Sequence, residues 1–133
     1  MIAFDVIGTP APQGSKRHVG RGVMIESSAK VKPWRESVKW AAVEARRGGA
    51  PLTGPLLLLL EFRLPRPKSA PKSRKHPDKK PDIDKLIRST MDALTESGIW
   101  LDDAQVVRVV ADKFFAGHGC AAELGCKVSV GYV

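Results

Sequence analysis

Lys80-Pro81-Asp82-Ile83-Asp84-Lys85-Leu86-Ile87-Arg88-Ser89-Thr90-Met91-Asp92-Ala93-Leu94-Thr95-Glu96-Ser97-Gly98-Ile99-Trp100-Leu101-Asp102-Asp103-Ala104-Gln105-Val106-Val107 is the stretch on which the reading of this sequence turns. Ile83, Leu86/Ile87, Thr90/Met91 and Leu94 recur at steps of three and four, so the spacing predicts a helix from about 82 to 96 with one buried stripe. Gly98 is the expected stop, because glycine takes the left-handed turn after a helix at little cost. Residues 105–115, rich in Val and Phe, then read as a strand.

Working outward, Leu56–Phe62 is a short apolar run opened by Pro55, and its length suggests a central strand buried on both faces. A second helix is predicted at 31–47, with Val31, Trp34, Val38 and Ala41/Ala42 on the apolar side and Gly48-Gly49 at its end. Residues 2–7 read as a strand. Gly8-Thr9-Pro10-Ala11-Pro12-Gln13-Gly14-Ser15-Lys16-Arg17 follows, whose two prolines and two glycines forbid regular structure. Val23-Met24-Ile25 suggests a short strand in a hairpin-like excursion. Gly117-His118-Gly119 reads as a turn, and 121–132 as a last strand with Val128, Val130 and Tyr132 alternating against Lys127, Ser129 and Gly131. Residues 63–80 hold eight Lys/Arg, four Pro and one Asp, which leaves too little apolar surface for the segment to order itself, so a mobile basic arm is expected. The sum is a single α+β domain over 1–133, with a small mixed sheet of four or five strands and two main helices.

The charge balance narrows the partners. Twenty-two Lys/Arg against fourteen Asp/Glu give a net charge of +8 and a pI near 9.8. That excess favours a polyanion, nucleic acid first and an anionic membrane second. No apolar run approaches the roughly 18 residues of a membrane helix, and no basic amphipathic helix with a bulky apolar face stands out, so no membrane partner is expected. Met1–Asp5 has no basic region leading into an apolar one, so no signal peptide is expected. Cys120 and Cys126 are the two cysteines, outside any zinc spacing, and read as reduced, partly buried thiols of a cytoplasmic protein.

Inside this basic chain six of the fourteen acids crowd between 82 and 103: Asp82, Asp84, Asp92, Glu96, Asp102 and Asp103. Capping is one explanation, since Asp82 and Asp84 follow Pro81 at a helix start where carboxylates meet free N–H groups. It leaves Asp102-Asp103 as a mere solvated turn. A metal site is the other, because hard Mg²⁺ prefers carboxylate oxygens and water, and Mg²⁺ supplies what phosphodiester hydrolysis needs. Reach permits it: the helix rises about 16 Å from Asp84 to Thr95, and an extended chain from Gly98 to Asp103 spans about 17 Å. Asp103 would then return beside Asp84, with Ile99, Trp100 and Leu101 pinning the path. Arg88, one turn after Asp84, could pair with it or hold a phosphate.

Residues 80–107 closely resemble the signature of the RusA family of Holliday-junction endodeoxyribonucleases, D-[LI]-D-N-L…K…D-A-L…G-x-[WF]-x-D-D-x-Q-V. The resemblance is carried by Lys80–Leu86, Met91–Leu94 and Gly98–Val107, and more loosely by Pro10–Gly14. It implies a small α+β homodimer that cuts four-way DNA junctions in recombination and repair with Mg²⁺. By position it implies Asp82, Asp84 and Asp103 as metal ligands, with the family's catalytic lysine falling on Arg88. Arginine keeps the charge but does not release a proton, so Arg88 serves if the family lysine stabilises charge and fails if it transfers protons. Lys85 stands where the family has Asn, where its charge either attracts phosphate or competes with the metal. Lys16, Arg17 and Arg21 in one loop, Lys68, Lys72, Arg74, Lys75, Lys79 and Lys80 in the arm, and Lys85 are the expected DNA contacts. A basic DNA- or RNA-binding module without catalysis is the rival reading, its acids serving as caps and turns.

Overall fold

The apolar run at 56–60 lies inside a four-stranded sheet. A computed structural model describes residues 1–14, 16–18, 24–26, 29–117 and 123–133, with backbone alone at 16–18 and 24–26. Its elements are β1 (Ile2–Ile7), β2 (Lys16–His18), β3 (Met24–Glu26), α1 (Val31–Arg46), β4 (Leu56–Leu64), α2 (Ile83–Ser97), β5 (Val106–Phe115) and β6 (Gly125–Tyr132). The sheet order is β1-β6-β4-β5, antiparallel except for the parallel pair β4–β5; β2 and β3 form a separate antiparallel ribbon. This is the expected α+β architecture, with a four-stranded mixed sheet and two helices. Among the described residues no helix is long and apolar enough to cross a membrane.

A parallel neighbour demands a crossover, and 65–105 supplies it. β4 runs out to Leu64, α2 carries the chain back, and β5 restarts with Val106 beside Leu56. This path fixes which ends meet. The start of α2 belongs with the far end of β4, whereas the turn before β5 belongs with its beginning. Lys113, paired with Phe62 late in β4, donates from Nζ to the carbonyls of Lys79 and Pro81 (3.0 Å each), just ahead of α2. At the opposite end Gln105 donates from Nε2 to the carbonyls of Leu52 (3.0 Å) and Gly54 (3.1 Å), just before β4.

One face of the sheet is closed by the helices. Leu56, Leu58, Leu60, Phe62, Val128, Val130 and Val6 are buried there with Trp34, Val38 and Ala42 of α1 and Leu86, Ala93 and Leu94 of α2. At about 25 cal/mol per Å² each buried Val, Leu or Phe among them contributes roughly 1.5–3 kcal/mol. Trp34 and Thr90 join the helices through a 3.2 Å bond from Nε1 to Oγ1. Both predicted helices are present, and Trp34, Val38, Leu86, Thr90 and Leu94 of the predicted stripes are buried, but Ile83, in the open first turn of α2, is 36 % exposed and falls outside its stripe. α1, however, turns left-handed at Arg47 (φ 49°), ahead of the Gly48-Gly49 pair expected to end it.

Burial on both faces of β4 was expected and is not found. Leu56, Leu58 and Leu60 are buried, but Leu57 and Leu59 are half-buried and Glu61 is exposed. The leucine run reflects position within the sheet, between β6 and β5, and not helices on both sides. In β6, Val128 and Val130 face the core, while Tyr132 at the strand's end is 62 % exposed. Arg63 is no part of a basic arm: it lies buried in β4, donates to the carbonyl of Glu123 (2.6 Å), and meets both Asp5 oxygens at 2.9 and 3.0 Å. The loop segment therefore starts at Pro65.

Residues 65–82 have no helix or strand, as their composition requires. Their contacts are made by cations. Arg66 and Arg74 lie over the Phe115 ring, 4.9 and 5.3 Å from its centroid. Arg66 also donates to the carbonyls of Arg74 (2.8 Å) and Pro71 (2.6 Å), and Arg74 pairs with Asp78 at 2.9 Å. Cys126 is a buried free thiol, pushed up to about 12 mainly by burial, which leaves it unreactive. Cys120, His118, Gly119, Arg21 and Val23 lie outside the described residues.

Candidate functional site

Asp82 is the residue that caps α2 by position but not by chemistry. Its backbone is extended (φ −68°, ψ 138°), as a cap's is, yet its side chain accepts no hydrogen bond from the helix. The carboxylate lies instead 3.4 Å from Lys85 Nζ. Capping therefore does not account for this aspartate. Asp84 is exposed in the first turn. Arg88 follows one turn later, also exposed, and among the described residues no ion pair joins it to Asp84.

A strap from the amino end of the chain lies against the same helix. Ser89 Oγ donates to the Ala11 carbonyl (2.6 Å), and Gln13 N donates to the Lys85 carbonyl (3.0 Å). Gly14 (φ 105°) ends the described strap beside Arg88: a Cβ there would sit 3.1 Å from Arg88 Nη1 in a conformation side chains rarely adopt. Close approach of backbone to guanidinium thus needs glycine here. Gln13 continues the line. Its Nε2 donates to Asp92 Oδ2 (2.5 Å) and its Oε1 accepts from Arg35 Nη1 (3.1 Å), while Arg35 pairs with Glu96.

The second acidic group sits at the other end of the crossover. Gly98 turns left-handed (φ 78°) as expected, and Ile99 and Trp100 are buried. Trp100 Nε1 donates to Thr95 Oγ1 (2.8 Å), which pins the chain to the last turns of α2. Asp102 then caps a short 3₁₀ turn over 103–105: its carboxylate accepts from Ala104 N (2.8 Å), and Gln105 Oε1 accepts from Leu101 N (2.9 Å) and Asp102 N (3.0 Å). Asp102 is a structural cap. Asp103 is exposed, and its carboxyl is raised above the usual aspartate range, first by partial desolvation and then by the adjoining Asp102 and by Asp92.

The expectation that Asp103 returns beside Asp84 within one chain is not met. Trp100 ties the return segment to Thr95, and Asp103 comes near enough to feel the charge of Asp92 before the chain crosses to β5. The helix from Asp84 to Ser97 spans about 20 Å at 1.5 Å per residue, and the parallel crossover puts Asp82 and Asp84 at one end of it and Asp103 toward the other. Among the described residues no three His, Cys, Asp or Glu side chains stand where they could share a metal. The donors themselves suit a hard divalent cation: exposed carboxylate oxygens, with Asp82 free of a capping bond.

Among the expected DNA contacts, Lys68, Lys72, Lys75, Lys79 and Lys80 are exposed, whereas Arg74 is engaged by Asp78 and Phe115. Lys16 and Arg17, expected in irregular chain, lie instead in β2: the two prolines and two glycines of that segment end at Gly14, and the residues beyond are free to pair with β3. Gln13, Arg35 and Asp92 were given no role from the sequence. The signal was present, because Gln13 belongs to the Pro10–Gly14 string and Asp92 to the Asp-Ala-Leu step of the motif.

The comparisons agree with this frame. A protein of Bacillus subtilis (strain 168) described as "Uncharacterized protein YqaN" is 32% identical, over 86% of this chain and 88% of its own length. The family model described as "Endodeoxyribonuclease RusA" matches residues 7–124, a span that takes in the strap, both helices, the arm and both acidic groups, and the chain belongs to that family.

Proposed function

We propose that this chain is a Mg²⁺-dependent endodeoxyribonuclease that nicks four-way DNA junctions as a homodimer, in recombination and repair, with Asp82, Asp84 and Asp103 as its metal ligands. Membership of the endodeoxyribonuclease family carries the reading. The separation of the two acidic groups refines it: Asp82 and Asp84 of one copy complete their site with Asp103 of the other. A two-fold dimer makes two such shared sites and presents them to opposed strands, which suits a substrate cut twice. The sheet face opposite the helices supports self-association, because the half-buried Leu57 and Leu59 and the 41 % exposed Val110 lie on it uncovered by any helix among the described residues.

Bound there, Mg²⁺ would supply an activated water and relief of negative charge at the phosphate. Lys85, now on Asp82, would pass to phosphate when a metal takes that carboxylate. Arg88 is the cation for the scissile phosphate, and since arginine stays protonated it holds charge and moves no proton. Exposed Lys68, Lys72, Lys75, Lys79 and Lys80 follow the DNA backbone.

The test is a labelled four-way junction and a linear duplex of the same arms, each incubated with Mg²⁺ and with EDTA. Paired nicks in the junction, dependent on Mg²⁺, are expected. Tight junction binding with no nick under Mg²⁺ or Mn²⁺ would favour the rival, a binding module whose acids are structural.

A further inference from the structure

Beside Asp82 the surface opens into a concavity of about 340 Å³. Thr9, Pro10, Ala11 and Pro12 form one wall, Leu64 and Pro65 another, and Pro81 with Asp82 a third. Lys30, Lys80 and Lys85 complete the lining. Its size is near the lower limit of small-molecule sites, roughly 300–1,000 Å³. That admits one base with its sugar.

We propose that this concavity is a nucleobase pocket, which takes one unstacked base of the DNA strand next to the phosphate on which the site at Asp82 would act. The inference rests on the nuclease reading for the identity of that strand, and on the following observations for the occupant. The walls are apolar and include four proline rings, flat aliphatic faces suited to the face of a base. Three lysines share the lining with a single carboxylate, and Lys30 and Lys80 are exposed, so the entrance is cationic and fits a phosphate on either side of an inserted base. Asp82 lines the pocket and also heads α2, so a base seated here lies within a nucleotide's reach of that carboxylate. An acidic or purely apolar peptide would leave either the walls or the lysines unmatched.

The pocket is built by parts that the fold already holds in place. Ser89 anchors Ala11 through its carbonyl, Gln13 N bonds the Lys85 carbonyl, and Lys113 fixes the carbonyls of Lys79 and Pro81. A preformed slot costs little ordering when it fills. The base must leave its stack to enter, which costs least at a branch point or in single-stranded DNA.

Metal-free, ¹⁵N-labelled protein titrated with a trinucleotide, intact or stripped of all its bases, tests the assignment. Both ligands carry the same phosphates, so the difference reads the bases alone. The intact trinucleotide should shift the amides of Thr9, Ala11, Lys30, Leu64 and Lys80, and the abasic one should bind about ten-fold more weakly, in line with the worth of one stacked base. Thr9→Phe and Pro12→Phe, each filling the slot from a different point of its wall, should abolish the difference while thermal melts confirm folding. Equal binding of the two trinucleotides to wild-type protein, or shifts confined to residues outside the pocket, would overturn the proposal. Nicking of a junction with Mg²⁺ is measured separately: its failure alongside intact base-dependent shifts would sink the nuclease reading and leave the pocket standing.

Discussion

Asp102 and Asp103 are neighbours with different work. Asp102 accepts a backbone bond inside a reciprocal cap with Gln105, whereas Asp103 projects toward solvent with negative neighbours. Asp102→Asn keeps an acceptor and should cost under about 1 kcal/mol. Gln105→Ala removes partners from Leu101 N, Asp102 N and the carbonyls of Leu52 and Gly54, and should cost about 1–2 kcal/mol, read by denaturant unfolding. Titration discriminates the pair further. Because the folded-state pKa of Asp103 is raised, folding takes up protons at this site, and its contribution to stability declines as pH rises through the interval between the unfolded and folded values. Carboxyl NMR of metal-free protein should place the Asp103 midpoint above the ordinary aspartate range, and Asp102→Asn should move it down by removing one of the negative neighbours. An unchanged midpoint would mean that desolvation and Asp92 set it without the charge of Asp102.

The helices and the strands of the main sheet were legible in the sequence, whereas β2, at Lys16–His18, and the paths of the loops were not. Helix stripes such as Trp34–Val38–Ala42 announce themselves because a 3.6-residue period is local information. Where the return from Trp100 goes is set by the parallel pairing of β4 and β5, a relation between residues some fifty positions apart, so chain reach alone allowed Asp103 a position that the crossover denies it. In the segment after Leu64, Arg66 and Arg74 lay their flat guanidinium faces on Phe115, contacts that a count of apolar residues does not register. Those contacts are few and lie in turns, so limited trypsin digestion should cut first between Lys68 and Lys80. Early cleavage within α1 or α2 would contradict this. On DNA, Lys72→Ala with Lys75→Ala should flatten the log–log salt slope by about 2, at roughly 0.9 per phosphate on duplex. An unchanged slope would remove both residues from the interface.

At the scale of the molecule the family motif names candidate ligands, and the fold decides which chain can supply them. The motif holds Asp82, Asp84 and Asp103 in one sequence; the crossover sets Asp103 toward the other end of α2, and in the proposed dimer a second copy restores the set. Light scattering at micromolar concentration should accordingly give the mass of two chains. The most direct measurement is junction nicking in Mg²⁺ by Asp84→Asn, by Asp103→Asn and by the purified mixed dimer of the two, each verified as folded. Each variant alone should lose activity by several orders of magnitude, because Mg²⁺ holds an amide far less well than a carboxylate. The mixed dimer has one site with both changes and one with neither, so it should recover about half of the wild-type rate. Near-normal nicking by either variant alone, or a mixed dimer as inactive as its parents, would contradict a metal site shared between two copies of this chain.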